Sequence, residues 1–263
     1  MNAPAMRYGY LFEQMVRREL RQKYKGSALG VLWYFINPLV LMGAYALVFS
    51  VMLKFGGDIP DYPLFLLVGI VVWVFFSQAL LTAAPSFVRQ AALVRKVPFP
   101  RELVPGSVAT VQMITFSLML AMLAPAVFAI RGTLDWQLAL LPAIWIAFFA
   151  FVLGLSLTVA ALHAHYRDVE PVLGAVLLPW FFVTPIFFRV EDLPGASSHP
   201  FIADLMQWAN PVAPFIDAVR QVVFWGQVPS VQTLAYIGAA GAIALVTGWL
   251  VHKRMERDLA VVL

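Results

Sequence analysis

Six stretches of the chain contain no Asp, Glu, Lys or Arg, and they set the first expectation about its architecture. They are residues 29–53, 62–88, 103–130, 136–162, 171–188 and 231–251. A helix rises about 1.5 Å per residue, so roughly 20 apolar residues cross a bilayer. Five of the runs meet that length comfortably. The shortest, 171–188, carries Pro179 and Pro185, which predicts a kinked or broken helix. The pattern therefore predicts an all-α integral membrane protein with six transmembrane helices, organised as a single domain over residues 1–263.

The segments between the runs carry patterns of their own. In residues 7–25, Tyr8, Leu11, Phe12, Met15, Val16 and Leu20 recur on one helix face, while Arg17, Arg18, Arg21 and Lys23 lie mostly elsewhere around it. A basic amphipathic helix of this kind rests on a membrane surface, as a simple anchor or as a docking face for a partner. Residues 89–102 hold Arg89, Leu93, Val94, Arg95 and Lys96 ahead of Pro98 and Pro100. They form either a loop whose cations fix orientation or a short helix that passes on force. Residues 199–225 are too polar to span and too apolar for a plain loop. Phe201, Ile202, Leu205, Met206 and Trp208 predict one short helix dipping into the outer interface. Asn210-Pro211 should break it before a second, through Phe215, Val219, Val222 and Val223.

Charge then orients the whole. Six spans put Arg7, Arg17, Arg18, Arg21, Lys23, Lys25, Arg89, Arg95, Lys96, Arg101, Arg167, Lys253, Arg254 and Arg257 on the side of both termini. Of the 18 basic residues, that leaves Lys54, Arg131, Arg189 and Arg220 opposite. Basic residues mark cytoplasmic loops, so both termini are expected inside. Composition agrees, with 62% apolar and 12% charged residues, against roughly half and a quarter in soluble domains.

What the spans lack narrows the function. Ion-coupled carriers and proton relays need ionisable groups at depth, and none of the six runs has an acid, a lysine or an arginine. There is no cysteine. The four histidines are His163, His165, His199 and His252; the first two point apart on a helix, so no metal site is expected and both read as interfacial. No lysine follows a glycine, which removes the phosphate-cradling loop of nucleotide hydrolases. An external power source is implied. Aromatic residues are dense: Tyr34 near the start of the first run, Trp180, Phe181 and Phe187 in the fifth. They fit an interfacial belt, or a surface on which sugars slide.

Several of these segments, in order, also carry a resemblance. Tyr24-Lys-Gly-Ser-Ala-Leu-Gly-Val-Leu-Trp33 through Asn37-Pro38, then Leu93 to Glu102, Tyr166-Arg-Asp-Val-Glu170, Thr184-Pro-Ile-Phe187 and Asn210-Pro211 resemble the membrane subunit of bacterial ATP-binding-cassette exporters. The class is the type 2 permease, in its polysaccharide and polyol phosphate branch, and the likeness runs almost end to end. It implies a homodimer in the inner membrane, with each copy docking a separate ATPase subunit that binds the ATP and Mg. No cofactor is implied in this chain, and no nucleic acid. Residues 7–25 would be an interface helix with Arg17, Arg18, Arg21 and Lys23. Arg89, Leu93, Val94, Arg95 and Lys96 would form the coupling helix held in the ATPase, and residues 199–225 would be external gate helices. Tyr34, Trp180, Phe181 and Phe187 would line a channel. The cargo would be a glycan on undecaprenyl pyrophosphate, O-antigen first. Teichoic acid, capsular polysaccharide, and drug or lipid efflux are neighbouring readings. An intramembrane glycolipid-processing enzyme is the reading from a different class.

Overall fold

A computed structural model of the chain describes residues 3–24, 26, 30–52, 59–131, 136–190, 201 and 204–259. Among these the regular elements are all helical. Helix α1 (Ala3–Tyr24) comes first, with Met15 and Val16 buried and Arg17, Arg18 and Arg21 exposed, as an amphipathic pattern requires. Helix α2 (Trp33–Ala46) contains Pro38 and widens into a π-helical turn at Leu47–Met52. Helix α3 (Tyr62–Ala83) carries Pro63 in its first turn and is buried along nearly its whole length. It is the axis around which the rest packs, which explains why it is apolar all round rather than striped.

Two short helices, α4 (Ser86–Arg89) and α5 (Ala91–Lys96), lead into α6 (Leu103–Arg131). A 3-10 turn at Trp136–Leu140 opens α7 (Leu141–His165), followed by α8 (Val169–Val183). After a π-helical turn at Leu205–Ala209 come α9 (Ala213–Arg220), a second π turn at Gln221–Trp225, and α10 (Val231–Met255). Ser230 caps α10 by accepting from the Thr233 amide at 3.0 Å.

Four helical stretches are long and apolar enough to cross a membrane: Tyr62–Ala83, Leu103–Ala129, Trp136–His165 and Val231–Asp258. The other two predicted runs give shorter apolar helices, Ile36–Phe49 and Val169–Val183. Proline chemistry accounts for much of the difference. A residue before proline is pushed out of the helical region, and Thr184, before Pro185, is extended at φ −76° and ψ 137°. Pro179, by contrast, stays inside α8. The run expected to reach residue 88 is interrupted earlier, where Pro85 separates α3 from α4.

Helices α7 and α10 make the closest pairing in the fold. A β-carbon on Gly154 would overlap the backbone carbonyl of Ala244, and one on Gly248 would overlap that of Gly154. Small residues thus let two apolar helices touch backbone to backbone, which is how helices associate where lipid is as apolar as leucine. Buried side chains form two separate clusters. A large one surrounds α3. A small one gathers Met15, Phe87, Val94, Phe99, Val104, Ala160, Ala164 and Leu259 at the end of α3.

Candidate functional site

Three places in the bundle concentrate polar or aromatic groups, and the small cluster is the first. Its core brings the buried face of α1 against the α4–α5 segment and the last turns of α7. Gln90, buried between α4 and α5, donates from Nε2 to Glu19 Oε1 at 3.0 Å and so ties the segment to α1. His252, in the last turns of α10, is fully buried with its ring stacked on Phe87 at 5.7 Å. His163 is buried as well, 3.8 Å from Glu170. The correction to the sequence reading falls on His163, which was expected at the interface and is instead inside the bundle.

Glu102 Oε2 lies 3.9 Å from His252 Nε2 and 3.5 Å from Lys253 Nζ, which in turn reaches Glu256 Oε2 at 2.9 Å. Arg101 donates to the main-chain carbonyl of Glu256. Glu102, His252 and Glu256 bring potential ligand atoms within 4.8 Å of one another, but the Lys253 ammonium already bridges the two carboxylates. The cluster therefore works as a clasp between the segment after α5 and the end of α10.

Around this core the predicted site residues divide. Val94 is buried in the small cluster and Leu93 is half-buried against it. Arg89, Arg95 and Lys96 are exposed, as is Val97. The free surface of α5 is thus basic, and its apolar side belongs to the chain's own core. Arg17 pairs with Glu13 at 2.7 Å on the exposed side of α1. Lys23 turns inward instead.

The second place is at the opposite end of α3. Arg220 is buried with 5% exposure. It donates from its two terminal nitrogens to Pro185 O at 2.7 Å, Ile186 O at 2.6 Å and Phe65 O at 3.2 Å. Its guanidinium carbon sits 3.5 Å above the Phe65 ring. Gly69 leaves it room, because a β-carbon there would strike the guanidinium. Two of these carbonyls, on Pro185 and Ile186, belong to the chain where α8 has ended and so lack helical donors, while Phe65 lies in the first turns of α3. Tyr62 adds a further bond, donating to Phe187 O at 2.8 Å.

Asn210 locks the same end. Its Nδ2 donates to Thr184 Oγ1 at 2.9 Å, and its Oδ1 accepts from Trp180 Nε1 at 3.1 Å and the Val212 amide at 3.2 Å. Thr184-Pro-Ile-Phe187 and Asn210-Pro211, far apart in sequence, are therefore one structural unit. Sequence reading counted Arg220 only as an external charge. The missed signal was its place within the apolar pattern of Phe215, Val219, Val222 and Val223.

The third place is aromatic. Phe187 stacks on Phe49 at 4.4 Å and meets Tyr45 edge-on at 5.1 Å, and Phe181 lies 5.5 Å from Tyr45 and 5.6 Å from Trp73. Trp180 packs edge-on against Phe76 at 5.3 Å. Phe181 and Phe187 are buried and Trp180 is half-buried, so these rings hold α2 and α8 to α3. Phe182, beside them, is half-exposed at 48%. Tyr34 belongs to α2, with its side chain outside the described residues; Lys25, His199 and Ile202 lie outside them altogether.

A nucleophile with its base is not assembled at any of the three places; they are a basic surface, a lock on a broken helix and an aromatic wall. The sequence profile of the ABC-2 type transporter family matches residues 10–224, from α1 through the Arg220 lock. The chain belongs to that family. As an ABC-2 type chain it is a multi-pass membrane protein, and its similarity to individual relatives is nearly full-length. It is 28% identical over 253 residues to the O-antigen export system permease protein RfbA of Myxococcus xanthus, covering 96% of this chain and 95% of the relative. A protein of that name in Klebsiella pneumoniae is 27% identical over 265 residues, with 97% and 96% covered. The polysialic acid transport protein KpsM of Escherichia coli is 22% identical over 260 residues, with 94% of each covered.

Proposed function

We propose that the chain is the channel-forming subunit of an ATP-driven exporter that moves lipid-linked cell-surface polysaccharide across the bacterial inner membrane. The favoured cargo is O-antigen. The observation that carries this reading is the end-to-end likeness to O-antigen export permeases, in a chain whose sequence has no phosphate-cradling loop. The KpsM relative supports a capsular polysaccharide as second cargo, at lower identity.

In this reading Ile36–Phe49 and Val169–Val183 complete six membrane passages, both termini are cytoplasmic, and residues 199–225 form external gate helices. Two copies enclose the path, since closed twofold dimers are the commonest assembly and one small bundle leaves little room for a polymer. The half-exposed Phe182, beside the aromatic wall of α2 and α8, then faces the path. A purified complex with the mass of one permease copy would contradict the dimer.

The power enters at α5. An ATPase subunit on each copy, which alone holds ATP and Mg, grips the basic surface of Arg89, Arg95 and Lys96. Its motion reaches α1 through Gln90, and α7 and α10 through the buried cluster and the Glu102–Lys253 clasp. The double variant Arg95→Glu, Lys96→Glu is expected to lower surface glycan at least tenfold in a strain lacking the native gene. Its membrane level should match the wild type, because both side chains are exposed. Wild-type surface glycan with the double variant would refute the coupling assignment.

A further inference from the structure

Lys23, at the end of α1, reaches into a cavity of 330 Å³ between α1, α2, α3 and α6. Its Nζ donates to Gln112 Oε1 at 2.7 Å and lies 3.5 Å from Thr115 Oγ1. Gln112 is held in turn, donating from Nε2 to Thr82 Oγ1 at 3.0 Å. Asn37, Gln78 and Trp33 add amide and indole N–H groups to the lining, and the described lining residues include no carboxylate. The donor set is that of an anion site. Burial pushes the Lys23 ammonium down to about 7.

A neighbouring pocket has the opposite character. It is an almost wholly apolar groove of 110 Å³ between α2, α3 and α6, lined by Leu39, Leu67, Val71, Met122 and Leu123. Pro38 and Met119 line both. Leu39 and Met122 are about half exposed at its edge, so the groove opens sideways. A ligand that fills both parts carries a negative head and a hydrocarbon tail.

We propose that this composite site binds one anionic phospholipid of the surrounding bilayer, with its phosphate at Lys23 and one acyl chain along Leu39, Val71 and Met122. A phosphatidylglycerol-type lipid fits, since a choline headgroup would bring a second cation beside the ammonium. The site is separate from the α5 surface and from the Arg220 lock, and it does not depend on which cargo is exported.

The test is native mass spectrometry of the purified chain in a neutral detergent, titrated with four probes. These are phosphatidylglycerol, phosphatidylcholine of the same chains, soluble glycerol phosphate and undecaprenyl phosphate. One tightly held phosphatidylglycerol per chain is expected, with binding at least tenfold weaker for phosphatidylcholine and for glycerol phosphate. Lys23→Met should lose that tenfold preference and Lys23→Arg should keep it. Met122→Trp, which fills the groove from its exposed edge, should weaken phosphatidylglycerol at least fivefold with an unchanged Tm, and it serves if Lys23→Met does not fold. Unchanged phosphatidylglycerol binding in Lys23→Met or Met122→Trp would overturn the proposal. So would glycerol phosphate binding as tightly as the lipid, which would make this a soluble-anion site. Undecaprenyl phosphate binding tenfold more tightly than phosphatidylglycerol would overturn it too, by assigning the site to the cargo's carrier.

Discussion

Replacing Arg220 with methionine is expected to lower the thermal unfolding midpoint of the detergent-solubilised protein by roughly 6–12 °C. The guanidinium serves three carbonyls at once, on Phe65, Pro185 and Ile186. A buried acceptor left without a donor costs about 1–3 kcal/mol, and relief from burying the cation offsets part of that. The net loss is a few kcal/mol, and each is worth roughly 2–4 °C in a chain of this size. Lysine should not rescue, because a single ammonium cannot present the planar fork that reaches both Phe65 and the Pro185–Ile186 turn. Wild-type stability in Arg220→Lys would show that charge alone suffices. Gly69→Leu should resemble Arg220→Met, since its side chain would occupy the guanidinium's place.

The second large effect concerns α7 and α10. Alanine in place of glycine inside a helix is ordinarily favourable by about 1 kcal/mol, so Gly154→Ala and Gly248→Ala would stabilise an uncrowded helix. Here the added methyl meets main chain of the facing helix, which has no flexible end to move aside. The helices must part, and the contacts along them loosen together. Overpacking of this kind costs typically about 1–3 kcal/mol, which reverses the expected sign. Gly238 is the internal control: it lies in α10 with open space where its β-carbon would stand, so Gly238→Ala should be neutral or mildly stabilising. Unfolding midpoints of the three variants, measured side by side, decide the matter. Equal midpoints for Gly154→Ala and Gly238→Ala would mean that the α7–α10 approach is looser than described.

Much of this was legible in the sequence because lipid demands it. Uncharged runs of membrane length have few other uses, and the four helices long and apolar enough to cross a membrane fall where charge-free stretches predicted them. The break at Pro185 was legible too, since a proline acts on its own neighbour. The Arg220 lock was not. It depends on Gly69 leaving a gap in one helix opposite an arginine more than a hundred residues later, and no local pattern joins them. The same holds for Val94: the resemblance implies a place in a helix held by the ATPase, and only the arrival of Met15, Phe99 and Leu259 turns it inward. Lys23 read as one more surface cation until Gln112 and Thr115 placed partners beside it. Residues whose role is set by the solvent could be read one at a time; those set by a distant segment could not.

The proposed function requires a wall that does no chemistry and motion imposed from the α5 face. It is tested most directly in proteoliposomes that hold the purified chain and lumenal lipid-linked glycan from its own strain, with and without the partner ATPase and ATP. The account predicts glycan movement only when ATPase and ATP are both present, and loss of that movement in the Arg95→Glu, Lys96→Glu variant. Movement or modification of the glycan by the chain alone, without nucleotide, would contradict it.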